Sequence, residues 1–227
     1  MRELSPFAEK STAVQHLLDQ LSSSATTHDD YRNAFYKLGT ILSTAIGESF
    51  DLSNSQVTIA CSSEDADWLT KGIMDNLTTT RTSLAVFWNL RANPFDQKDI
   101  SIAPIIKSYI EETTNPEYLI IVKSIIYTSC VIRTNLTHLI EHLKPRKIII
   151  ASPVMFVNAE EALKAEFPKD ISDKFSFLCF ATDDEVNAAG EVIPGVGGSV
   201  YDRLGIGNSD TKNKYVPNIV KARRAAL

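Results

Sequence analysis

Short apolar runs of strand length, separated by segments of helical character, constrain this chain more than any other feature. The runs are Val57–Ser62, Leu84–Leu90, Ile100–Ile106, Tyr118–Val122, Lys147–Ser152 and Phe175–Ala181. They are apolar almost throughout, which is typical of parallel strands covered on both faces. Pro104 interrupts the third run and indicates an edge strand or a bulge. The sequence therefore predicts an α/β fold with a mostly parallel sheet and helices on both faces.

Two helical segments precede the first predicted strand. Apolar residues recur at helical spacing over residues 7–21. A second helix is predicted from Tyr31 to about Ile46, with Asp29 or Asp30 as its N-cap. One face of this helix is apolar, so we expect it to pack against the body of the protein. A further helix is predicted over Glu64–Leu77.

Composition and charge exclude several classes of protein. Of the 227 residues, 44% are hydrophobic and 22% are charged, as in ordinary globular proteins that bury a sizeable core. The net charge of −5 gives no electrostatic reason to expect nucleic acid or an anionic membrane as a partner. No apolar signal core and no apolar run of ~20 residues are present, so we expect a cytosolic protein. Its three cysteines are far apart and predict neither disulfides nor a zinc site.

The segment Tyr118–Leu143 has the order strand, short polar turn, helix. In such a unit the N–H groups of the turn and the positive end of the helix bind phosphate. The turn here, Tyr127–Cys130, contains no glycine, and no acidic residue follows the strand. The phosphate-binding residues predicted from this segment are Lys123, Thr128, Ser129, Cys130 and Val131.

Glycines concentrate in the last third of the chain. Six of the nine lie between residues 190 and 207. Glycines this dense allow positive φ angles and close approach of the backbone to a ligand. A flexible surface loop is an equally good interpretation of the composition. We treat the chain as one domain, residues 1–227, with a helical arm (1–50) and a glycine-rich hood (182–210).

These segments, in this order, resemble the uracil phosphoribosyltransferases, a family with the type I phosphoribosyltransferase fold. The resemblance extends from about Tyr31 onward and includes WNLRAN, residues 88–93. Its most specific part is FATDDEVNAAGEVIPGVGG, residues 180–198. The resemblance implies transfer of a phosphoribosyl group to uracil, with magnesium as the cofactor if the protein is active. The implied pyrophosphate-side residues are Arg91 and Ala92, and the implied base-binding residues are Ile193, Pro194, Gly195, Gly197 and Asp202.

Departures from the family pattern fall on the residues that the reaction needs. Lys123 or Ser124 stands where the family has an acidic residue that engages the ribose hydroxyls. Of the family's alanine-threonine-glycine-glycine turn, Tyr127–Cys130 retains only the threonine; Asn93 and Gly198 replace a glycine and an acidic residue. A lysine offers no acceptor to a hydroxyl group, and one lost contact of this kind costs ~3 kcal/mol of transition-state stabilisation.

The sequence therefore predicts a cationic, glycine-poor pocket with impaired or lost catalysis. We expect a binding, regulatory or assembly subunit that forms a homo-dimer or a hetero-oligomer. Its ligand would be a nucleobase or a phosphorylated sugar. The alternative is an active uracil phosphoribosyltransferase that makes UMP from uracil and phosphoribosyl pyrophosphate.

The residues His138–His142 spell HxxEH, the pattern of inverted zinc peptidases. Two histidines four positions apart share a helix face and could hold zinc, with Glu141 as the base. A third ligand would come from Glu160, Glu161 or Glu166. An ordinary helix explains the motif as well, because short patterns match by chance. We assign no metal ligand.

Two smaller features have both a chemical and a structural interpretation. Cys130 could be a reactive thiol at a helix N-terminus, or a small packed residue. The acidic run Asp183–Glu185 could contact magnesium, or cap a short helix.

Overall fold

A mixed sheet runs through the molecule and contains the parallel strands that the sequence predicts. The computed structural model describes residues 1–79, 81–92, 101–113 and 115–226. In these ranges the strands of the sheet are β1 (Arg2–Leu4), β2 (Gln56–Ser62), β3 (Arg81–Asn89), β4 (Ile105–Ile110), β5 (Tyr118–Val122), β6 (Ile125–Ile126), β7 (Lys147–Phe156) and β8 (Phe175–Asp183). Two short strands, β9 (Glu185–Val186) and β10 (Val192–Ile193), form a separate antiparallel pair.

The strand order of the main sheet is β1-β8-β7-β5-β2-β3-β4, and β6 pairs with β7 beside this path. Strands β2, β3, β5, β7 and β8 are parallel, whereas β1 and β4 are antiparallel at the two edges. The chain leaves β2 on one side towards β3 and β4, and then crosses to the other side for β5. Parallel sheets bind ligands outside the carboxyl ends of their strands at such a reversal of order. The topology therefore predicts a ligand site at the carboxyl ends of β2 and β5.

Helices cover both faces of the sheet. They are α1 (Pro6–Glu9), α2 (Thr12–Ser22), α3 (His28–Ser49), α4 (Lys71–Asn76), α5 (Cys130–Ile140), α6 (Ala159–Ala165), α7 (Lys169–Ser172), α8 (Val200–Arg203), α9 (Ser209–Lys214) and α10 (Asn218–Ala225). Ile120 of β5 packs in an apolar cluster with Leu38 of α3, while the adjacent Leu119 and Ile121 pack in a second cluster with Leu136 of α5. The α/β prediction is confirmed, because successive strand residues bury against helices on opposite faces.

The N-terminal helices differ from the prediction in their limits. The expected helix over residues 7–21 is divided into α1 and α2. The first helix ends at Glu9, and Ser11 caps α2 through its Oγ, 3.3 Å from the Val14 N–H. The predicted N-cap at Asp29 or Asp30 is wrong. Thr27 caps α3, and its Oγ1 accepts from the Asp30 N–H at 3.2 Å. Both α2 and α3 contribute buried residues to the core beside the sheet.

The segments around β2 and β3 also correct the sequence prediction. The expected helix Glu64–Leu77 begins with a 3-10 turn (Ser63–Asp65) and a π-helical turn (Ala66–Thr70) before α4. The third predicted strand starts only after Pro104 and forms the antiparallel edge strand β4, as the proline indicated; Ile100 lies outside the described residues. Strand β1 was not predicted, because three residues of mixed polarity carry no apolar pattern.

Candidate functional site

A cavity of about 250 Å³ opens at the carboxyl edge of the sheet, between the ends of β2, β3 and β5 and the glycine-rich hood. The charged and hydroxyl side chains on its walls include Glu64, Glu191, Arg91, Lys123, Lys212, Tyr127, Ser199, Tyr201 and Ser209. This is the position at which the reversal of strand order places ligands in α/β proteins. The volume lies just below the range usual for sites of drug-sized ligands, ~300–1,000 Å³, and therefore suits a small molecule.

Lys123, directly after β5, lies between two carboxylates that follow β2. Its Nζ is 3.0 Å from Glu64 Oε1 and 2.6 Å from Asp65 Oδ2. The Ser124 N–H donates to the other Asp65 oxygen at 3.1 Å. The side chains of Lys123, Glu64 and Asp65 are 12%, 10% and 1% exposed. The 3-10 turn after β2 brings its carboxylates to the neighbouring strand end, so the three charges form one buried cluster.

The cluster changes the proton affinities of its members. Burial by itself would raise the pKa of Glu64, but the charges of Lys123 and Lys212 more than offset it, and the pKa falls to about 2. Burial raises the pKa of Asp65, and the adjacent Glu64 charge adds to the increase while Lys123 opposes it. Burial would lower the pKa of Lys123, but Asp65 and Glu64 raise it above the ordinary value. Lys123 and Glu64 are therefore ionised at neutral pH.

This geometry corrects the expectation of an uncompensated cation at Lys123. The lysine does stand where the resemblance places an acidic residue, but two carboxylates from a different strand end neutralise it. Sequence reasoning missed Glu64 and Asp65. A signal was present, because an acidic pair directly follows an apolar strand and the carboxyl ends of parallel strands meet at one edge of a sheet.

A second buried lysine, Lys212 of α9, reaches the cavity from the C-terminal segment. Its side chain donates from Nζ to the carbonyl oxygen of Asn89 at 2.9 Å, and the residue is 7% exposed. Burial lowers the pKa of Lys212, and the nearby Glu64 charge only partly offsets this. Sequence analysis missed this residue, since Lys212 and its partner at the end of β3 are far apart in the chain and no local motif connects them.

Asn89, which holds Lys212, is itself fixed by a pair of amide hydrogen bonds. Its Nδ2 donates to Asn135 Oδ1 of α5 at 2.8 Å, and Asn135 Nδ2 donates back to Asn89 Oδ1 at 3.1 Å. Asn89 Nδ2 also lies 3.0 Å from the carbonyl oxygen of Ala103. Both asparagines are buried, so this pair ties the end of β3 to α5 next to the cavity.

The predicted phosphate turn is only partly directed at the cavity. Val131 lines it, and Arg91 Nη2 lies 3.5 Å from Thr128 Oγ1. Ser129 Oγ instead donates to Glu166 at 2.8 Å, and Cys130 Sγ donates to the carbonyl oxygen of Ser101 at 3.2 Å. Of the predicted residues, Arg91, Lys123 and Val131 thus line the cavity and Thr128 lies beside Arg91, while Ser129 and Cys130 contact other parts of the protein.

The N-terminus of α5 already has a carboxylate beside it. Glu166 accepts from Ser129 and also from Arg133 Nη1, at 2.7 Å. The hydrogen bond from Arg133 lowers the pKa of Glu166, so the group is negatively charged. This carboxylate supplies part of the negative charge that a helix N-terminus attracts.

Other residues near the predicted pyrophosphate side are used within the fold. The Ala92 N–H and carbonyl oxygen exchange hydrogen bonds with Ile102 at 3.0 and 2.9 Å. Asn93, which stands where the resemblance implies a glycine, lies outside the described residues.

The hood's main chain is largely committed to bonds within the protein. The Gly195 N–H donates to Asp183 Oδ2 at 2.9 Å, and its carbonyl oxygen accepts from Arg2 Nη2 at 2.6 Å. Arg2 also pairs with the fully buried Asp183, through Nη2 at 2.8 Å. The Val196 carbonyl accepts from Tyr31 Oη at 2.7 Å. Asp183 of the acidic run is thus an anchor for the hood.

The remaining predicted base-binding residues lie around these bonds. Gly197 has a φ of +78°, and its carbonyl accepts from Arg203 Nη1 at 3.2 Å. Ile193 pairs with Glu185 in the short hairpin and precedes Pro194 through a cis peptide bond. Asp202 is exposed on α8. The hood residues on the cavity wall are their neighbours Gly190, Glu191, Val192, Val196, Gly198, Ser199, Val200, Tyr201 and Ser209.

Magnesium, which the family resemblance implies for an active enzyme, does not fit the carboxylates of this site. A hard cation requires free carboxylate oxygens. Glu64 and Asp65 both accept from Lys123, and Glu191 accepts from Asn187 Nδ2 at 3.0 Å. The lysine ammonium occupies the place between the two carboxylates that a cation would need.

The HxxEH motif lies at the end of α5. His138 packs edge-on against Phe87, with ring centroids 5.8 Å apart, and against His142 at 5.9 Å. Glu141 and His142 are exposed. Within the described ranges, no three histidine, cysteine, aspartate or glutamate side chains are arranged to hold a metal ion. No helix in those ranges combines the length and apolar composition needed to cross a bilayer.

Comparisons with known proteins show the fold of this chain. No protein-family model matches it, and no curated protein matches it in sequence. Among solved structures, the AQ2163 protein from Aquifex aeolicus superposes with a TM-score of 0.66 at 14% identity, covering 89% of this chain and 96% of that one. The two proteins share an α/β fold over nearly their whole lengths.

Phosphoribosyltransferases overlap with the chain less completely. A hypoxanthine-guanine phosphoribosyltransferase from Bacillus anthracis has a TM-score of 0.42 at 11% identity, covering 55% of this chain and 70% of that one. A hypoxanthine phosphoribosyltransferase from Staphylococcus aureus has a TM-score of 0.41 at 14% identity, covering 66% and 75%.

Proposed function

We propose that this protein is a divergent relative of the uracil phosphoribosyltransferases that binds a small phosphorylated ligand and has lost most or all of the transfer reaction. The observation that carries the proposal is the buried cluster of Lys123 with Glu64 and Asp65. We place the protein in the cytosol, as a binding, regulatory or assembly subunit.

The chemistry of phosphoribosyl transfer makes this cluster informative. Positive charge develops on the ribose as its bond to pyrophosphate breaks, and the family uses carboxylates to hold the sugar hydroxyls and magnesium to neutralise the leaving group. In this protein both nearby carboxylates already accept hydrogen bonds from an ammonium group at 3.0 and 2.6 Å. Freeing one of them would leave Lys123 buried with less compensation, which is costly.

Ligand binding places weaker demands on the site than catalysis does. The cavity wall retains the cations Arg91 and Lys212 and the hydroxyl groups of Ser199 and Tyr201. Charge-assisted hydrogen bonds of this kind favour an anionic group such as phosphate. A sugar or nucleoside monophosphate has both an anionic group and hydroxyls, and its size suits the small cavity.

The resemblance also implies a nucleobase as ligand, recognised by the hood. The N–H and carbonyl groups of Gly195 are occupied by Asp183 and Arg2. The phosphorylated part of the ligand is therefore expected to supply most of the affinity.

An active uracil phosphoribosyltransferase is the second candidate. The observation that favours it is Glu64, whose ionised carboxylate lines the cavity and could accept from a ribose hydroxyl group. Under this alternative, ligand binding would draw Lys123 away from Glu64.

Calorimetry and a product assay test the proposal together. The protein is titrated with phosphoribosyl pyrophosphate, with and without magnesium, and is then assayed for conversion of uracil to UMP beside an ordinary uracil phosphoribosyltransferase. We expect binding without measurable UMP. Turnover within about tenfold of the ordinary enzyme, a difference of ~1.4 kcal/mol in barrier, would end the proposal.

Assembly is tested separately. We propose a homo-dimer or a complex with an active relative. Size-exclusion chromatography with light scattering distinguishes a dimer from a monomer, and a monomeric protein at micromolar concentration would contradict the homo-dimer.

A further inference from the structure

Lys212 is a buried positive charge without an acidic partner in the described part of the chain. Within the described ranges, its side chain makes one hydrogen bond, from Nζ to the neutral carbonyl of Asn89 at 2.9 Å. In those ranges no acidic side chain forms an ion pair with it, whereas Lys123 pairs with two. The two lysines border the same cavity, but among the described residues only Lys123 forms ion pairs, and the Glu64 and Asp65 charges attract Lys212 without direct contact.

Such an arrangement costs free energy in the absence of a ligand. A buried ammonium group loses its hydration and has three N–H donors to satisfy, and Asn89 satisfies one. The ring of Tyr201, whose centroid is 5.7 Å from Nζ, adds a modest cation–π attraction. Burial lowers the pKa of Lys212, which agrees with incomplete compensation of its charge. An anion in the cavity would supply the missing negative charge and the missing hydrogen-bond acceptors.

Contacts at both the side chain and the helix of Lys212 fix its position beside the cavity. Its carbonyl partner belongs to Asn89, which the reciprocal amide pair with Asn135 fixes at the end of β3. Asn208 caps α9, with its Oδ1 3.0 Å from the N–H groups of both Asp210 and Thr211. A fixed cation loses little conformational entropy when it binds a ligand.

A second unmatched polar group lines the same cavity. The hydroxyl oxygen of Ser199 is buried and has no hydrogen-bond partner among the described residues. Ser199 stands at the N-cap position of α8, but its side chain makes no capping bond. Buried hydroxyl groups nearly always form a hydrogen bond, so we expect a ligand or a water molecule to bond to this one.

We propose that Lys212 and Ser199 form the anion subsite of this cavity, and that the subsite takes the phosphoryl group of a small phosphate monoester. The inference rests on the proposed function, because it names the residues that anchor the ligand. The proposed anchor therefore lies in the C-terminal segment. It does not lie in the predicted turn at Thr128–Val131, where Glu166 already supplies a carboxylate.

Titration calorimetry on the full-length protein tests the subsite. The probes are ribose 5-phosphate, inorganic phosphate and ribose, which separate the contributions of ester, anion and sugar. The wild-type protein should bind ribose 5-phosphate most tightly, inorganic phosphate more weakly, and ribose least. Lys212→Met should weaken ribose 5-phosphate binding by about 30-fold, as expected for loss of a hydrogen bond to a charged group.

Two control variants make the test specific. Lys214→Met removes an exposed lysine from the same short helix, and Thr128→Ala alters the predicted phosphate turn. Both should stay within about twofold of the wild-type affinity, since neither change removes a hydrogen bond to the ligand. Ser199→Ala should weaken binding by about three- to tenfold, and it tests the subsite even if Lys212→Met does not fold.

The outcomes separate this inference from the function on which it rests. If the wild-type protein binds ribose 5-phosphate and neither Lys212→Met nor Ser199→Ala weakens that binding, the proposed subsite is refuted, but the proposal that the protein binds a phosphorylated ligand is not. If the wild-type protein binds neither phosphate probe nor phosphoribosyl pyrophosphate, both proposals fail.

Discussion

Replacing Lys123 with methionine should destabilise the protein strongly, because it leaves two buried carboxylates beside each other. At an effective dielectric constant of ~20, the separations of 3.0 and 2.6 Å correspond to attractions of about 5 to 6 kcal/mol each. Most of this attraction offsets the desolvation of the three groups, so it is not net stability. Removing one partner of a buried ion pair typically costs about 3–5 kcal/mol, and we expect a loss in that range at pH 8.

The loss should depend on pH. In the wild-type protein the depressed pKa of Glu64, about 2, contributes stability that is present above pH ~4.3 and is lost as the pH falls towards 2. Without Lys123 the pKa values of Glu64 and Asp65 should both lie above those of the unfolded chain. The folded variant would then bind more protons than the unfolded chain, so its stability should fall as the pH rises from about 5 to 8.

Urea unfolding at pH 5 and pH 8, followed by the fluorescence of the buried Trp88, measures both effects. Lys71→Met is the matched control, since Lys71 forms a partly exposed pair with Asp75 at 2.7 Å and should cost less than about 0.5 kcal/mol. Adding Asp65→Asn to the Lys123 variant should recover part of the loss. If Lys123→Met costs no more than the Lys71 control at pH 8, the buried cluster does not exist as described.

Three further sets of substitutions test the site and the hood. Lys212→Met removes a buried charge that has no ion-pair partner, so it should leave the stability of the ligand-free protein within about 1 kcal/mol of wild type or raise it. Thermal melting measures this change. A loss above about 2 kcal/mol would mean that the lysine stabilises the fold. Asn89→Ala and Asn135→Ala should each cost about 1–3 kcal/mol, with a coupling that a double-mutant cycle detects; additive costs would contradict the amide pair. Gly197→Ala should cost more than about 2 kcal/mol, because its Cβ would lie 2.4 Å from a backbone carbonyl oxygen of α2 at a φ of +78°. Gly47→Ala, with open space around it, should instead stabilise α3 by about 0.5–1 kcal/mol, and equal effects at the two glycines would refute the hood packing.

The sheet could be predicted from the sequence because its strands are continuous apolar runs, and burial on both faces requires that pattern. Limits of elements were less predictable. Thr27 and Asp30 are both good N-caps, and only the observed hydrogen bond identifies Thr27. Strand β1 depends on pairing with β8, a long-range contact that three residues of local sequence do not indicate.

The site was predictable where strand ends determine it and unpredictable where distant segments meet. Lys123 follows a strand and was recognised, but its neutralisation by Asp65 depends on the pairing of β2 with β5. Lys212 reaches Asn89 across the fold, and no spacing in the sequence connects the two residues. The hood glycines were recognised by their density, whereas the role of Asp183 in holding Gly195 required the structure.

A crystal structure of the protein soaked with ribose 5-phosphate tests the central claim most directly. The claim is that the cavity binds a phosphate ester while Lys123 remains bonded to Glu64 and Asp65. We predict a phosphoryl group within ~3 Å of Lys212 Nζ, with the cluster unchanged. A ligand whose ribose hydroxyls bind Glu64 after displacing Lys123 would contradict the claim and favour an active transferase.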